Sequence, residues 1–206
     1  MLGLMARKVG MTQVFDDVGN LVSVTVMRID PNVVIAQKTK DKDGYAAVVL
    51  GMDDLKPGKV GRPYAGQFPE NITPKRTIKE FRDFEKEVTI GETLGADIFE
   101  GIRYVDASGI SKGKGFQGVV RRYGFGGGRA THGSKFHREP GSTGQSTYPH
   151  KSFKNVKLPG RMGREHITVL SLRVVKLDKE KQLVMVKGAV PGLNKGLVVI
   201  RAAVKR

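Results

Sequence analysis

The sequence predicts a mainly β protein in which both ends of the chain contribute strands to one small barrel and a basic segment interrupts them. β-branched residues alternate with polar ones between turn signals up to about residue 52, and the same pattern resumes after residue 166. The residues between positions 111 and 166 are too polar, too rich in glycine and too irregular in period to bury a core of their own. A chain of 206 residues is long enough for one larger domain that carries such an insertion.

Residues 1–56 are predicted to form the first barrel strands as an antiparallel meander. In the stretch 21–29 three valines share one face, while Ser23 and Thr25 share the other. The hairpin before this strand is marked by the turn residues Asp16, Asp17, Gly19 and Asn20. The meander continues with a strand over 32–39, a turn at 41–44 and a returning strand over 45–52.

Residues 57–100 are predicted to be a small inserted α+β segment. Apolar density falls after Asp53, and seven proline and glycine residues follow between positions 57 and 74. Pro63 suits the first position of a short helix, where its missing N–H costs nothing. The stretch 77–84 alternates in a way that fits either a strand or a helix.

Further barrel strands are predicted on both sides of the basic segment. Residues 101–110 supply one strand, which leads directly into that segment. Residues 167–206 supply the last part of the barrel. The strands expected here cover 166–177, 182–188 and 196–202, separated by turns at DKEK and AVPG. The short DKEK turn predicts that the first two of them pair as a hairpin.

Residues 111–166, which we call the basic extension, dominate the charge of the protein. The twelve basic residues of the extension are Lys112, Lys114, Arg121, Arg122, Arg129, Lys135, Arg138, Lys151, Lys154, Lys157, Arg161 and Arg164. Only Glu139 and Glu165 oppose them, so about +10 of the formal charge of +16 lies here. A sequence pI near 10.1 indicates a polyanionic partner. Twelve of the 27 glycines share this stretch, a combination that favours an extension threaded into nucleic acid.

Composition argues against membrane and secreted classes of protein. No apolar run approaches the roughly 20 residues that a spanning helix needs, so no membrane partner is predicted. The amino-terminal MLGLMARK lacks the apolar region and cleavage site of a secretory signal. Because the chain has no cysteine, disulfides and thiolate zinc sites are excluded. We therefore expect a cytoplasmic protein.

The segment GKGFQG matches the glycine pattern of a dinucleotide-binding turn through Gly113, Gly115 and Gly118. That motif requires a βαβ unit, whereas the flanking pattern here is antiparallel. The acid about twenty residues further on, Glu139, lies in HREPG and does not end a strand. A glycine-rich contact loop is the better interpretation, because glycine lets backbone N–H groups approach phosphates closely.

His132, His137 and Glu139 have the side chains that metal sites and nucleases use. Their spacing, HGSKFHRE, lies on a glycine- and serine-containing loop with no rigid element to hold ligand geometry. No cluster of carboxylates for a magnesium ion is near them in the sequence. The sequence therefore favours solvated or RNA-contacting histidines, and no catalytic residue, metal ligand or cofactor is predicted.

Six aromatic residues are interleaved with the cations, and no single helical or strand face collects them. They are Phe116, Tyr123, Phe125, Phe136, Tyr148 and Phe153. Each of them either packs locally or stacks on an unpaired base. Folded RNA offers unpaired bases in its loops and bulges, so stacking favours RNA over duplex DNA as the partner.

Several long motifs resemble one known family, the universal large-subunit (50S) ribosomal protein L-three family in its bacterial form. The motifs are GLMARKVGMTQVF, KEFR, VDASGISKGKGFQGVVRRYGF, ATHGS, REPGSTGQ, LPGRMG and VVKLDKEKQLVMVKGAVPG. The resemblance runs nearly end to end. It implies a six-stranded translation-protein-type β-barrel with a small α+β insertion and a long, mostly irregular central extension.

The resemblance also implies a function and partners. Members of the family bind large-subunit (23S) rRNA early in assembly and extend the loop toward the peptidyl transferase centre, with proteins of the L-fourteen and L-nineteen types as neighbours. Some bacterial members carry a methylated glutamine in this loop. The aligned position is Thr147 here, and the neighbouring Gln145 does not match, so the modification is not carried over.

The sequence thus predicts a non-catalytic rRNA-binding protein in the cytoplasmic ribosome that is not a homo-oligomer. The predicted rRNA-binding residues are Lys112, Lys114, Gly115, Phe116, Arg121, Arg122, Arg129, His132, Lys135, Arg138, Gln145, Lys151, Lys154, Lys157, Arg161 and Arg164. Two alternatives remain open. One is a nuclease-like enzyme that uses the two histidines and the glutamate named above, and the other is an architectural nucleic-acid-binding protein.

Overall fold

The computed structural model describes residues 1–16 and 18–205. The described strands are β1 Gly3–Phe15, β2 Leu21–Arg28, β3 Asn32–Lys38, β4 Ala47–Asp54, β5 Lys75–Arg82, β6 Thr93–Leu94, β7 Tyr104–Ile110, β8 Gly115–Gln117, β9 Gly160–Met162, β10 His166–Asp178, β11 Leu183–Lys187 and β12 Leu197–Ala202. The short helices are α1 Lys40–Asp43, α2 Arg62–Ala65 and α3 Val119–Tyr123, with 3₁₀ turns at Pro57–Lys59 and Ala96–Phe99. The protein is mainly β, as predicted.

Two expectations concern residues outside the described part of the chain. Asp17 was expected in the first hairpin turn, and Arg206 at the end of the last barrel segment. Within residues 1–16 and 18–205, no helix has the length and apolarity that crossing a membrane requires.

The chain divides into two compact units. One contains residues 1–110 together with the chain from His166 onward, and the other contains Ser111–Glu165. The boundary lies within one residue of the predicted basic extension, because His166 is already the first residue of β10.

In the first unit six antiparallel strands pair in a closed ring, in the order β1, β12, β7, β10, β11 and β2. The ring closes because the 13-residue β1 serves two neighbours. Its first part, Gly3–Arg7, pairs with β12, and its later part pairs with β2. The predicted hairpin between β10 and β11 is confirmed by their pairing.

The core of the ring comes from apolar residues of its strands. Val105 and Ala107 of β7 are fully buried, as are three successive residues of β1, Leu4–Ala6. Burying a valine or leucine side chain contributes about 1.5–3 kcal/mol, so such residues stabilise the ring. The buried Lys8 keeps a partner for its charge, because its Nζ donates to the Val190 carbonyl over 2.7 Å.

A second sheet in the same unit has the order β5, β4, β3, β6. This order corrects the prediction that all of residues 1–56 belong to the barrel, because β3 and β4 pair with strands of the 57–100 segment. The buried Asn32 ties the two sheets together. Its side-chain amide donates to the Met5 carbonyl and its Oδ1 accepts from the Met5 N–H, each over 3.0 Å.

Local predictions in this sheet differ in outcome. The ambiguous stretch 77–84 lies largely in strand β5, because residues 77–82 pair with β4 from Ala47 to Met52. Pro63 occupies the second helical position, since α2 begins at Arg62. The DKDG turn contains a single helical turn, α1, which ends at Gly44 in the left-handed conformation.

The second unit has little regular structure. Strands β8 and β9 form a three-residue antiparallel ladder in which Phe116 lies opposite Arg161. Helix α3 follows β8 after one residue, where the pattern FQGVVRRY predicts a short helix. The 36 residues from Gly124 to Pro159 contain no regular helix or strand.

Candidate nucleic-acid interface

The two segments that enter and leave the 111–165 unit are joined by backbone hydrogen bonds. The Ser111 N–H donates to the Glu165 carbonyl and the Lys114 N–H to the Met162 carbonyl, each over 2.9 Å. Gly163 makes this close approach possible. It has φ of +73°, and a Cβ there would overlap the Lys112 carbonyl. These contacts hold the two ends of the unit together beside the β8–β9 ladder. We call residues 111–114 and 162–165 the base of the unit.

Helix α3 contributes one buried apolar residue and one hydrogen-bonded cation to the unit. Val119 is the only buried residue among those described in the unit. The Arg122 guanidinium donates to the Leu158 carbonyl over 2.8 Å and lies 5.0 Å from the Tyr123 ring centroid. Gly160 leaves room for this guanidinium, because a Cβ there would overlap it. Arg122 thus connects α3 to the strand that leaves the unit.

The segment 124–141 folds back on itself through local hydrogen bonds. The Gly128 N–H donates to the His137 carbonyl, and His137 Nδ1 contacts the Arg129 carbonyl, both over 2.9 Å. The Ser134 hydroxyl donates to the Phe136 carbonyl over 2.8 Å. These bonds shape a compact loop that leaves the basic side chains in solvent.

Eleven of the twelve cations of the extension are exposed, and Arg122 alone is half-buried. None of the twelve forms an ion pair with a carboxylate among the described residues, and Glu139 and Glu165 also have no cationic partner there. Ion pairs in the described chain belong to the other unit. The extension therefore carries a positive potential that its own side chains do not neutralise.

The remaining predicted binding residues are also exposed. Gly115 has φ of +71° and open space at its Cβ position, and His132 has φ of +59°. Phe116 is 77% exposed, and Gln145 is exposed as well. The structure thus presents Lys112, Lys114, Arg121, Arg129, Lys135, Arg138, Lys151, Lys154, Lys157, Arg161 and Arg164 to solvent, together with these four residues.

Five of the six aromatic residues of the extension fall into two groups. Tyr123 and Phe125 pack on each other with ring centroids 6.4 Å apart, and the Lys157 ammonium lies 5.9 Å from the Tyr123 centroid. Phe116, Tyr148 and Phe153 are largely exposed and have no ring contact among the described residues. The exposed rings are available to stack on bases, whereas the Tyr123 cluster stabilises the unit itself.

The geometry does not bring the enzyme candidates together. Within the described residues no three His, Asp or Glu side chains are grouped closely enough to hold a metal ion. Around GKGFQG, strand β8 pairs in an antiparallel hairpin and is not part of a βαβ unit. The functional roles of the predicted binding residues remain predictions.

Sequence reasoning missed two parts of this site. Strand β9 is three residues long, too short to show a period. Leu158 contributes a backbone carbonyl, which no side-chain pattern reveals. For helix α3 the sequence does offer a signal. Val119 and Val120 precede two arginines, which predicts a helix with an apolar and a basic side.

The chain is similar to known proteins over its whole length. A family model described as Ribosomal protein L3 matches residues 70–183, more than half of the chain. Over 206 residues the chain is 54% identical to the large ribosomal subunit protein uL3 of Treponema denticola, covering 100% of this chain and 99% of that protein. It is 49% identical to the uL3 of Borrelia duttonii (100% and 99% covered) and 46% identical to that of Borreliella burgdorferi (100% and 100%). The chain therefore belongs to the ribosomal protein L3 family.

Proposed function

We propose that this protein is a structural component of the large ribosomal subunit that binds large-subunit rRNA through the basic extension. Its similar proteins are named as large ribosomal subunit proteins. As a member of a structural ribosomal protein family it is not an enzyme. Its place of action is the ribosome in the cytoplasm.

One observation carries the proposal: eleven cations of the extension are exposed and form no ion pair among the described residues, on a unit with a single buried residue. Such a unit gains little from apolar burial, and its like charges repel one another. Phosphates relieve this repulsion and release counterions on binding. Duplex DNA offers the same charges, but the exposed Phe116, Tyr148 and Phe153 favour the unpaired bases of folded RNA.

The mechanism is coupled ordering and binding. Fixing one residue costs about 1–2 kcal/mol of backbone entropy, and the 36 residues from Gly124 to Pro159 have no helix or strand to offset it. Phosphate neutralisation, base stacking and contacts from exposed glycine N–H groups supply the compensating free energy. We infer that the extension takes its final shape as the rRNA folds around it, early in assembly.

The closed ring fits a translation-protein-type β-barrel, which we propose docks on the outside of the subunit. The extension then reaches inward toward the peptidyl transferase centre, as the resemblance to the family implies. Its role there is support of the rRNA. Proteins of the L-fourteen and L-nineteen types are the proposed neighbours of the barrel.

Deletion of the extension tests the proposal. Replacing Lys112–Arg164 with a short linker should leave a folded first unit, because that unit has its own core. Stable incorporation into large subunits, measured by quantitative mass spectrometry of purified particles, should be lost. Normal occupancy of the deleted protein would overturn the proposal.

A matched pair of charge variants separates position from total charge. One variant changes Lys112, Lys114, Lys151 and Lys154 to glutamine, and the other changes Lys40, Lys42, Lys56 and Lys59. All eight lysines are exposed and lack ion pairs among the described residues. We expect the first variant alone to lose rRNA affinity strongly. Equal losses would show that the protein binds through its net charge and not through the extension.

A further inference from the structure

The first hairpin carries an exposed strand edge that no described strand covers. β1 pairs with β12 only from Gly3 to Arg7, and a bulge lies between Lys8 and Gly10. β2 pairs with β11 only from Val24 to Arg28. Residues 9–15 and 21–22 therefore continue as a two-stranded ribbon with described neighbours on one side only, since the Ser23 carbonyl already accepts from the Gly188 N–H. We call residues 9–16 and 18–22 the apolar ribbon.

Backbone groups on the outer edge of β1 are open for pairing. The Asp16 N–H donates to the Asn20 carbonyl over 3.0 Å, and these two residues directly follow Phe15 and Leu21, the last pair in the register of the hairpin. Hydrogen-bonded pairs alternate along an antiparallel ladder, so Met11, Gln13 and Phe15 direct their N–H and C=O groups away from β2. An exposed edge of this kind is a template for another strand.

The side chains on the same part of the ribbon are apolar and exposed. Phe15 is 74% exposed and lies opposite Leu21, which is 55% exposed. Met11 lies on the same face as Phe15 and is also about half exposed, and Val18 at the turn is 84% exposed. A contiguous exposed apolar patch at a strand edge is typical of a protein-binding surface.

The charge of the ribbon identifies the class of partner. Between Val9 and Met27 the sequence contains no lysine, arginine or glutamate, and its only charges are those of Asp16 and Asp17. A surface without cations does not neutralise phosphates, so neither RNA nor an anionic membrane is favoured here. Proteins usually protect a free edge with lysine or proline, and this edge has neither.

We propose that the apolar ribbon binds an extended segment of another protein of the same particle by adding a strand to the outer edge of β1. The segment presents apolar side chains at alternate positions to Met11 and Phe15, and a cationic residue near Asp16. The inference rests on the proposed function, because the partner is sought in the large subunit. Incorporation into the large subunit is measured separately, so failure of the proposed function can be distinguished from failure of this inference.

Photocrosslinking in purified large subunits tests the proposal. The full-length variant Phe15→p-benzoylphenylalanine is incorporated, its occupancy is measured by mass spectrometry, and the particles are irradiated. We expect a crosslink to one protein, mapped by peptide sequencing to an extended segment. A crosslink to RNA, a crosslink to a second copy of this chain, or none at normal occupancy would overturn the proposal.

Two matched substitutions and amide exchange test the binding mode. Phe15→Ser should lower a crosslink placed at Val18 by at least about tenfold, because it removes an apolar side chain that the added segment would cover. Thr12→Ser, an exposed residue on the opposite face of the same strand, should leave it unchanged. In the particle, the Met11, Gln13 and Phe15 amides should exchange hydrogen much more slowly than in the free protein. Unchanged exchange would overturn strand addition.

Discussion

Arg121 and Arg122 are neighbours in the sequence with different environments in the structure. Arg121 is exposed, and its only described contact is a 3.3 Å hydrogen bond to Gln117. Arg122 is half-buried and donates to the Leu158 carbonyl over 2.8 Å. Both are predicted rRNA contacts on charge alone. The geometry favours contact with phosphate for Arg121 and a positioning role for Arg122.

Alanine substitutions should separate these two roles. Arg122→Ala leaves the Leu158 carbonyl without its donor, which costs about 1–3 kcal/mol locally. The amides of Leu158 and of residues 160–162 should then exchange faster in the free protein. Arg121→Ala should leave exchange unchanged and reduce the salt dependence of rRNA binding by about one phosphate contact. If both variants behaved alike, the distinction between them would be wrong.

Gly163 gives a second prediction at this scale. Gly163→Ala should loosen the base of the unit, because the residue has φ of +73° and its Cβ would overlap the Lys112 carbonyl. We expect a local cost of about 1–3 kcal/mol, seen as faster exchange of the Ser111 and Lys114 amides. Gly113→Ala is the control, since a Cβ at that position would lie 4.0 Å from its nearest neighbouring atom, the Cβ of Arg164. If the Ser111 and Lys114 amides exchanged at similar rates in the two variants, a Cβ at position 163 would not strain the base of the unit.

At the scale of elements, the extension and the two sheets differ in the interactions that stabilise them. The sheets have apolar cores, whereas the extension has one buried residue among those described and many unpaired cations. The extension therefore depends on phosphates for its net stabilisation, and the affinity that it contributes should depend on salt.

Raising the salt concentration from 50 to 200 mM should lower rRNA affinity by about 10³-fold or more, if six or more cations contact phosphates. Filter binding at several salt concentrations measures the slope. In a plot of log affinity against log salt concentration, the variant with four lysines changed in the extension should have a slope whose magnitude is smaller by roughly three. The matched variant in the other unit should show the wild-type slope. A nearly flat dependence in the wild type would contradict electrostatic binding.

At the scale of the molecule, acid should unfold the first unit partly through its second sheet. The ammonium of Lys38 donates a hydrogen bond to Glu80 over 2.8 Å and holds the pKa of that carboxyl below its ordinary value. A lowered folded-state pKa means that this stabilisation is present above the ordinary value. It is lost as pH falls through the folded-state pKa.

Glu80→Gln should therefore reduce the loss of unfolding free energy between about pH 5 and pH 3, as measured by urea unfolding at each pH. The partial exposure of both side chains keeps the effect small. Glu87→Gln is the control, because Glu87 is exposed and has no ion pair among the described residues. An equal change in both variants would contradict a specific role for the Lys38–Glu80 pair.

The amino-acid sequence by itself determined the mainly β class, the bounds of most strands, the limits of the basic extension and its excess of charge. These properties depend on local alternation and on sums over residues, which do not require knowledge of neighbours in space. The family motifs also lie in continuous stretches of the chain. For these reasons the predicted cations of the candidate site could be named in advance.

Only the tertiary structure decided which strands share a sheet and which side chains are free. β3 and β4 alternate like ring strands, yet they pair with β5 and β6, because pairing depends on partners distant in the sequence. In the same way, Arg122 differs from Arg121 because the Leu158 carbonyl lies beside it. The open edge of β1 arises where β12 ends, and no local pattern records that a neighbouring strand is too short to cover it.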